Sequence, residues 1–245
     1  MAAFINFAHR GASGAAPENT MAAFHKALEQ GANGIETDVQ MTSDHKLVLM
    51  HDEAVNRTTN GQGYIKDYTL SELQQLDAGS WFSEAFKGEQ VPELKQLLAL
   101  GKARGTFINI ELKNGIIPYP GLEEEVIAAV REYGMEERVI ISSFNHYSLV
   151  HCKKLAPDIV TAILYMEGLY QVCDYAQTVG ADALHAFKYA VLPELVAEAR
   201  DRGLAYHPFT VNAPDEMKRL LKAGVSGIIT DYPDVLHALL QQEEV

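Results

Sequence analysis

A (β/α)8 barrel with a small insertion after its second strand is the fold the sequence predicts, and three observations predict it. Short apolar runs alternate with amphipathic ones in eight strand–helix units along 245 residues, as in a parallel sheet with helical crossovers. Gly31, Gly134, Gly180, Gly203 and Gly224 follow helical runs, while Pro193, Pro214 and Pro233 open others, the asymmetry of real helix ends. Polar residues gather at the C-terminal ends of the strands, where a barrel keeps its active site. The last five units recur roughly every 22 residues, but the Leu-x-x-Leu-x-Leu register of a leucine-rich solenoid is absent. A doubly wound open sheet is the alternative. It calls for Gly-x-Gly-x-x-Gly after the first strand, which this chain lacks.

Phe4 to His9 is the first strand, followed by the loop Arg10-Gly11-Ala12-Ser13-Gly14. Asn19 or Thr20 caps a helix in which Met21, Phe24 and Leu28 recur at helical spacing. Gly34 to Val39 is the second strand. Lys46 to His51 is a short extra strand, and Asp52 to Val91 is polar, with a helix around Ser71 to Leu76. Residues 40–91 therefore form an insertion on one end of a single domain spanning 1–245, with Trp81, Phe82 and Phe86 expected to anchor it. A helix from Pro92 to Arg104 restores the alternation. Strands follow at Thr106–Leu112, Arg138–Ser142, Ile159–Leu164, Ala183–Ala186, Leu204–Thr210 and Gly227–Thr230. The helices between them run near Gly121–Tyr133, Asn145–Leu155 and Leu169–Val179, then from each of the three prolines.

Hydrophobic content of 47% and charged content of 22% are ordinary for a soluble globular chain. A net charge of −13 argues against nucleic acid or an anionic membrane as partner. It leaves room for a small phosphorylated ligand in a local basic pocket. No apolar run approaches about 18 residues. Met1 to Phe7 carries no basic residue, so neither a transmembrane helix nor a secretory leader is expected. Cys152 and Cys173 lie in helical runs as small apolar residues. Together these features give a reduced, cytoplasmic protein.

Glu36 and Asp38 are two apart on a strand, so both side chains leave one face. Glu111 and Lys113 end the third strand in the same way. Carboxylates crowded on one face repel unless a positive charge lies among them. An all-oxygen set of Glu36, Asp38 and Glu111 suits Ca2+, Mg2+ or Mn2+ better than Zn2+. The plainer reading is carboxylates paired with Arg10 and Lys113 at the barrel mouth. His9 and His51 are candidates for general acid and base, although each would equally serve as a hydrogen-bonded residue at a strand end. Arg10 and Lys113 suit an anion, Arg by its fork and Lys as a point charge. Lys113 has a second reading as a Schiff-base lysine, which three neighbouring acids disfavour by keeping it protonated. Asn145, Glu167, His185, Asn212 and Asp231 are further polar residues at or near strand ends.

His9-Arg10-Gly11, Pro17-Glu18-Asn19-Thr20, Glu36-Thr37-Asp38, His51-Asp52 and Glu111-Leu112-Lys113 together resemble the signature of the glycerophosphodiester phosphodiesterases. Arg57-Thr58-Thr59-Asn60-Gly61, Leu76-Asp77-Ala78-Gly79-Ser80-Trp81, Ser142-Ser143-Phe144, Thr210-Val211-Asn212 and Thr230-Asp231-Tyr232-Pro233 extend the likeness along nearly the whole chain. The resemblance implies a divalent cation on Glu36, Asp38 and Glu111. It also implies a His9/His51 acid–base pair and phosphate contacts from Arg10 and Lys113. The expected reaction releases glycerol 3-phosphate and an alcohol through a cyclic phosphate. Phe209 stands where the family usually has Trp, and is expected to pack against the glycerol backbone. Ala186 stands where the family often has Pro. The expected partner is a small glycerophosphodiester, and the expected assembly a monomer or homodimer. Two other readings compete: a Schiff-base aldolase using Lys113, and a non-catalytic binder of glycerophosphoryl compounds. The binder would be marked by loss of one histidine or carboxylate, and none is missing.

Overall fold

The structure, a computed structural model, describes residues 4–243. Met1–Ala3, part of the stretch on which the expected lack of a leader rests, and residues 244–245 of the expected domain lie outside it. Eight parallel strands form the sheet: β1 (Ile5–His9), β2 (Gly34–Met41), β4 (Phe107–Leu112), β5 (Val139–Ser143), β6 (Val160–Tyr165), β7 (Ala183–Ala186), β8 (Ala205–Tyr206) and β9 (Gly227–Thr230). Their spatial order is β8-β7-β6-β5-β4-β2-β1-β9, and β3 (Leu47–Leu49) pairs antiparallel with β2. The helices are α1 (Met21–Glu29), α2 (Leu70–Leu73), α3 (Leu94–Arg104), α4 (Leu122–Tyr133), α5 (His146–Leu155), α6 (Val172–Val179), α7 (Pro193–Asp201), α8 (Pro214–Ala223) and α9 (Pro233–Glu243).

The seam between β8 and β9 nearly closes the barrel. The run expected to be a strand through Thr210 is regular only at Ala205–Tyr206, though bonds from His207 N to Leu184 O (2.8 Å) and Phe209 N to Ala186 O (2.9 Å) continue along β7, and Pro208 has no N–H to give on its β9 side. Bonds from Ser226 N to Tyr206 O (3.0 Å) and from Ile229 N to Pro208 O (3.0 Å) bridge the gap. Inside the barrel Ile5, Phe7, Ile140, Ala162, Ala183 and Ile229 pack together. A larger apolar layer, including Phe24, Leu97, Ile108, Val126, Leu149 and Leu236, lies between sheet and helices. Cys152 and Cys173 are buried there as free thiols.

Helix ends follow the local chemistry. Of the two cap candidates for α1, Thr20 is the cap, its hydroxyl accepting from Ala23 N. Asn19 instead takes a left-handed φ of 54° and turns into the barrel. Left-handed Gln171 delays α6 to Val172, later than the expected Leu169.

Residues after β2 fold over the C-terminal end of the barrel. Their own core is aliphatic: Val48, Met50, Val55, Ile65, Leu73 and Val91. The aromatic anchor expected there is not the fastening. Trp81 is 39% exposed and stacks edge-on against Phe82, which meets Phe86 in turn. The three rings stack on one another outside the cluster formed by Val48, Met50, Val55, Ile65, Leu73 and Val91.

Candidate active site

Strand register assembles the acids. Asp38 on β2 partners Glu111 on β4, and Glu36 partners His9 on β1. One oxygen from each of Glu36, Asp38 and Glu111 lies within 4.8 Å of the other two. All three are shielded from water. Burial, then Asp38 and Glu111, push the Glu36 carboxyl well above its ordinary range. Burial and Asp38 lift Glu111 to about 7. Burial opposes ionisation of Asp38 too, but Arg10 and Lys113 hold it below the usual range. Three crowded hard oxygens, two of them unwilling to ionise without a nearby cation, suit a divalent ion. Asp38 Oδ1 adds a buried acceptor with no hydrogen-bond partner.

The β1–α1 turn presses a cation onto this cluster. Arg10 has a φ of 56°, which aims its backbone N–H at Glu36 Oε2 (2.9 Å). Gly11 follows at φ 80°, and a Cβ there would lie 2.7 Å from the Ala23 backbone. The Arg10 guanidinium bonds Glu18 (2.8 Å) and sits 3.3 Å from Asp38. Asn19 Nδ2 donates to the same Asp38 oxygen at 2.9 Å and is itself steadied by the Thr37 hydroxyl. Lys113 Nζ lies 3.0 Å from Glu111 and 3.8 Å from Asp38. Burial would neutralise it, but those acids hold its ammonium protonated.

Both histidines turn Nδ1 toward a carboxylate. His9 meets Asp231 at 2.6 Å and His51 meets Asp52 at 2.7 Å. Asp231 also receives Ser13 and Asn212 (2.9 and 2.6 Å). These bonds outweigh its burial and push it down to about 2. Burial pushes His51 below its ordinary value, with Asp38 opposing and Arg10 and Lys113 adding to the effect. His51 therefore stands within reach of the same charges that surround the acids. His9, Glu36, Asn109, Glu111, Leu164, Phe209 and Ile229 line one small cavity.

Several holding residues escape a reading of strand ends. Gln40, buried on β2, donates to the carbonyls of Met50, His51 and Asp52 (3.0, 3.1 and 2.7 Å), and Tyr119 OH steadies its Oε1 (2.9 Å). Arg57 bonds Asp52 through Nε (2.7 Å) and Glu18 through both terminal nitrogens (2.8 Å each). The available signal was chemical: a Gln in an otherwise apolar strand end, and an Arg five residues after an Asp. His185, among the polar residues near strand ends, is not at the mouth. It is fully buried, 3.0 Å from His207 inside the barrel. Glu167 stays exposed.

The fold and site define a parallel barrel that carries a buried acidic cluster able to hold a cation, together with two carboxylate-backed histidines. Its residues 9–235 match the Glycerophosphoryl diester phosphodiesterase family, and the chain belongs to that family. A relative from Caldanaerobacter subterraneus, named glycerophosphodiester phosphodiesterase, is 50% identical over 96% of this chain and 97% of its own. An Oleispira antarctica phosphodiesterase, solved with the product sn-glycerol-3-phosphate, superposes with a TM-score of 0.86 at 33% identity, covering 96% of each chain. A glycerophosphodiester phosphodiesterase from Agrobacterium tumefaciens gives 0.82 at 31%, covering 95% of this chain and 98% of that one.

Proposed function

We propose that this chain hydrolyses glycerophosphodiesters to glycerol 3-phosphate and an alcohol, with a divalent cation held by Glu36, Asp38 and Glu111. One observation carries the reading: three acids converge within 4.8 Å, Glu36 and Glu111 lining a cavity with His9, and Asp38 acting through its charge on His51, and each histidine is backed by a carboxylate. A divalent cation held by Glu36, Asp38 and Glu111 would supply Lewis acidity toward the phosphoryl group and a template for the glycerol hydroxyls.

The protein's own groups do the rest. Arg10 and Lys113 offset charge on the phosphoryl oxygens as it grows in the transition state. Phe209 packs its ring against the glycerol carbons. The 2-hydroxyl oxygen attacks phosphorus while one histidine takes its proton. The bond from phosphorus to the leaving alcohol breaks, and the other histidine protonates that oxygen. Water then opens the cyclic phosphate with the two roles reversed. A carboxylate on Nδ1 fixes each ring's tautomer and leaves Nε2 to exchange protons. Lys113 is a poor Schiff-base nucleophile, because its neighbours keep it charged.

Glycerol 3-phosphate should appear when the protein meets glycerophosphocholine with Ca2+ or Mg2+, and EDTA should stop it. A 2-deoxy diester should resist cleavage. Release of no glycerol 3-phosphate with any cation would remove the reading, and cleavage of the 2-deoxy compound would remove the cyclic route.

A further inference from the structure

A second cavity opens beside the acid cluster. It has a volume of about 580 Å³ and shares Glu111 with the small cavity that holds His9 and Phe209. Lys113 stands with Glu111 on its wall, and Glu53, Ile116, Phe144 and Asn145 line the remainder. That volume falls in the range of small-molecule sites and far exceeds that of the inner cavity. A substrate whose phosphorus lies beside Lys113 therefore finds room for a bulky substituent on this side of the acid cluster.

The groove has a definite chemical character. Glu53 lines it half-buried, and the nearby cations are committed elsewhere. Arg57 is held by Glu18 and Asp52, His51 by Asp52, and Lys113 by Glu111. Phe144 is 45% exposed and stands perpendicular to Phe209 with centroids 6.1 Å apart. Its ring is thus braced by the residue at the inner cavity while remaining open to the groove. A carboxylate with no partner among the described residues and an accessible aromatic ring form a receptor for a positive charge. The same carboxylate offers a neutral polyol only a hydrogen-bond acceptor and repels an anion strongly.

Resting on the phosphodiesterase reading, we propose that this groove receives the leaving alcohol and selects alcohols carrying a quaternary or primary ammonium. Glu53 neutralises the charge and Phe144 offers its face. The choline, ethanolamine and glycerol diesters of glycerol 3-phosphate, compared as kcat/KM with saturating cation, test this. Wild-type protein should favour the choline diester over the glycerol diester by about tenfold. Glu53→Gln should bring the two within about threefold, and Glu53→Lys should reverse the order. Phe144→Ala should weaken the choline diester most, mainly through KM. Circular dichroism and the rate on the glycerol diester report whether each variant folds. Equal rates for all three diesters in wild type, or an unchanged ratio in Glu53→Lys, would overturn the assignment while leaving the phosphodiesterase reading intact. Absence of turnover on all three would instead overturn that reading, and this one with it.

Discussion

His9 and His51 each depend on what holds the far side of the ring. Asp231 is fixed by two further donors, and Asp52 by Arg57. Each assisted proton transfer is worth roughly 10²–10⁴-fold. His9→Ala and His51→Ala should therefore each lower kcat at least about 100-fold with the fold intact. Wild-type-like turnover in either variant would contradict its assignment. Arg57 bonds none of the three acids of the cluster but grips both Asp52 and Glu18. We expect Arg57→Ala to lower kcat about tenfold or more, with KM changing little and added guanidinium restoring part of the rate. A fall confined to KM would show that Arg57 serves binding and not the alignment of His51. Glu36→Ala should lose the cation as well as activity, and titration calorimetry with Ca2+ and Mg2+ reads this directly. Unchanged affinity would exclude Glu36 from the cation shell.

The segment after β2 is the element that delivers His51. It returns beside β2 through β3, where Met50 N bonds Asp38 O (3.1 Å), and Gln40 pins the next two carbonyls. Its far end is closed at Gly79, where a Cβ would lie 1.8 Å from Phe86 O. No side-chain movement relieves a clash with backbone, so Gly79→Ala must displace the 77–89 stretch. The expected result is faster hydrogen exchange across residues 52–91 and a lower kcat, while exchange in β4, β5 and β6 stays slow. Uniform loosening of barrel and insertion together would refute the idea that this segment shifts by itself. Alternation and helix punctuation were readable for every barrel unit, because burial on both faces of a parallel strand leaves an apolar run. The regular part of β8 is shorter than its apolar run: Pro208 withholds one N–H without changing hydrophobicity, while bonding to β7 continues to Phe209. The aromatic anchor was misplaced for a similar reason: composition reports that Trp81 and Phe86 are apolar, and only packing reports that the rings stack on one another outside the aliphatic cluster.

Across the whole molecule, a cation bound at the acid cluster would compete with protons for the same carboxylates. Glu111 is raised to about 7 from an ordinary 4.5, and Glu36 is raised as well. Between those pH values the folded protein without cation holds more protons than the unfolded chain. Its stability from these groups is present at low pH and falls as pH rises through the window. Buried His207, lowered to about 4 from 6.5, acts in the opposite sense, losing stability as pH falls from about 6.5 toward 4. His207 contributes alike with and without cation, so the difference isolates the acids. The gain in Tm on adding Ca2+ to EDTA-treated protein should be larger at pH 8 than at pH 5. An equal gain at both pH values would count against the carboxylate cradle. Among the described residues no helix is long and apolar enough to cross a membrane.

Spacing along the chain was enough to place Glu36, Asp38, Glu111 and Lys113 on inward faces at the right end of a barrel, because a strand's two-residue period and a barrel's polarity are local rules applied in order. The His9–Asp231 contact joins residues 222 positions apart, and the Arg57–Glu18 clamp joins two loops. No local rule reaches so far. Closure of the sheet brings its first and last strands together, and the folded-back insertion sets His51 beside Asp38. Which carboxylate steadies His9, and which glutamate faces the open groove, are therefore consequences of packing, whereas His51 takes its carboxylate from the next residue, Asp52.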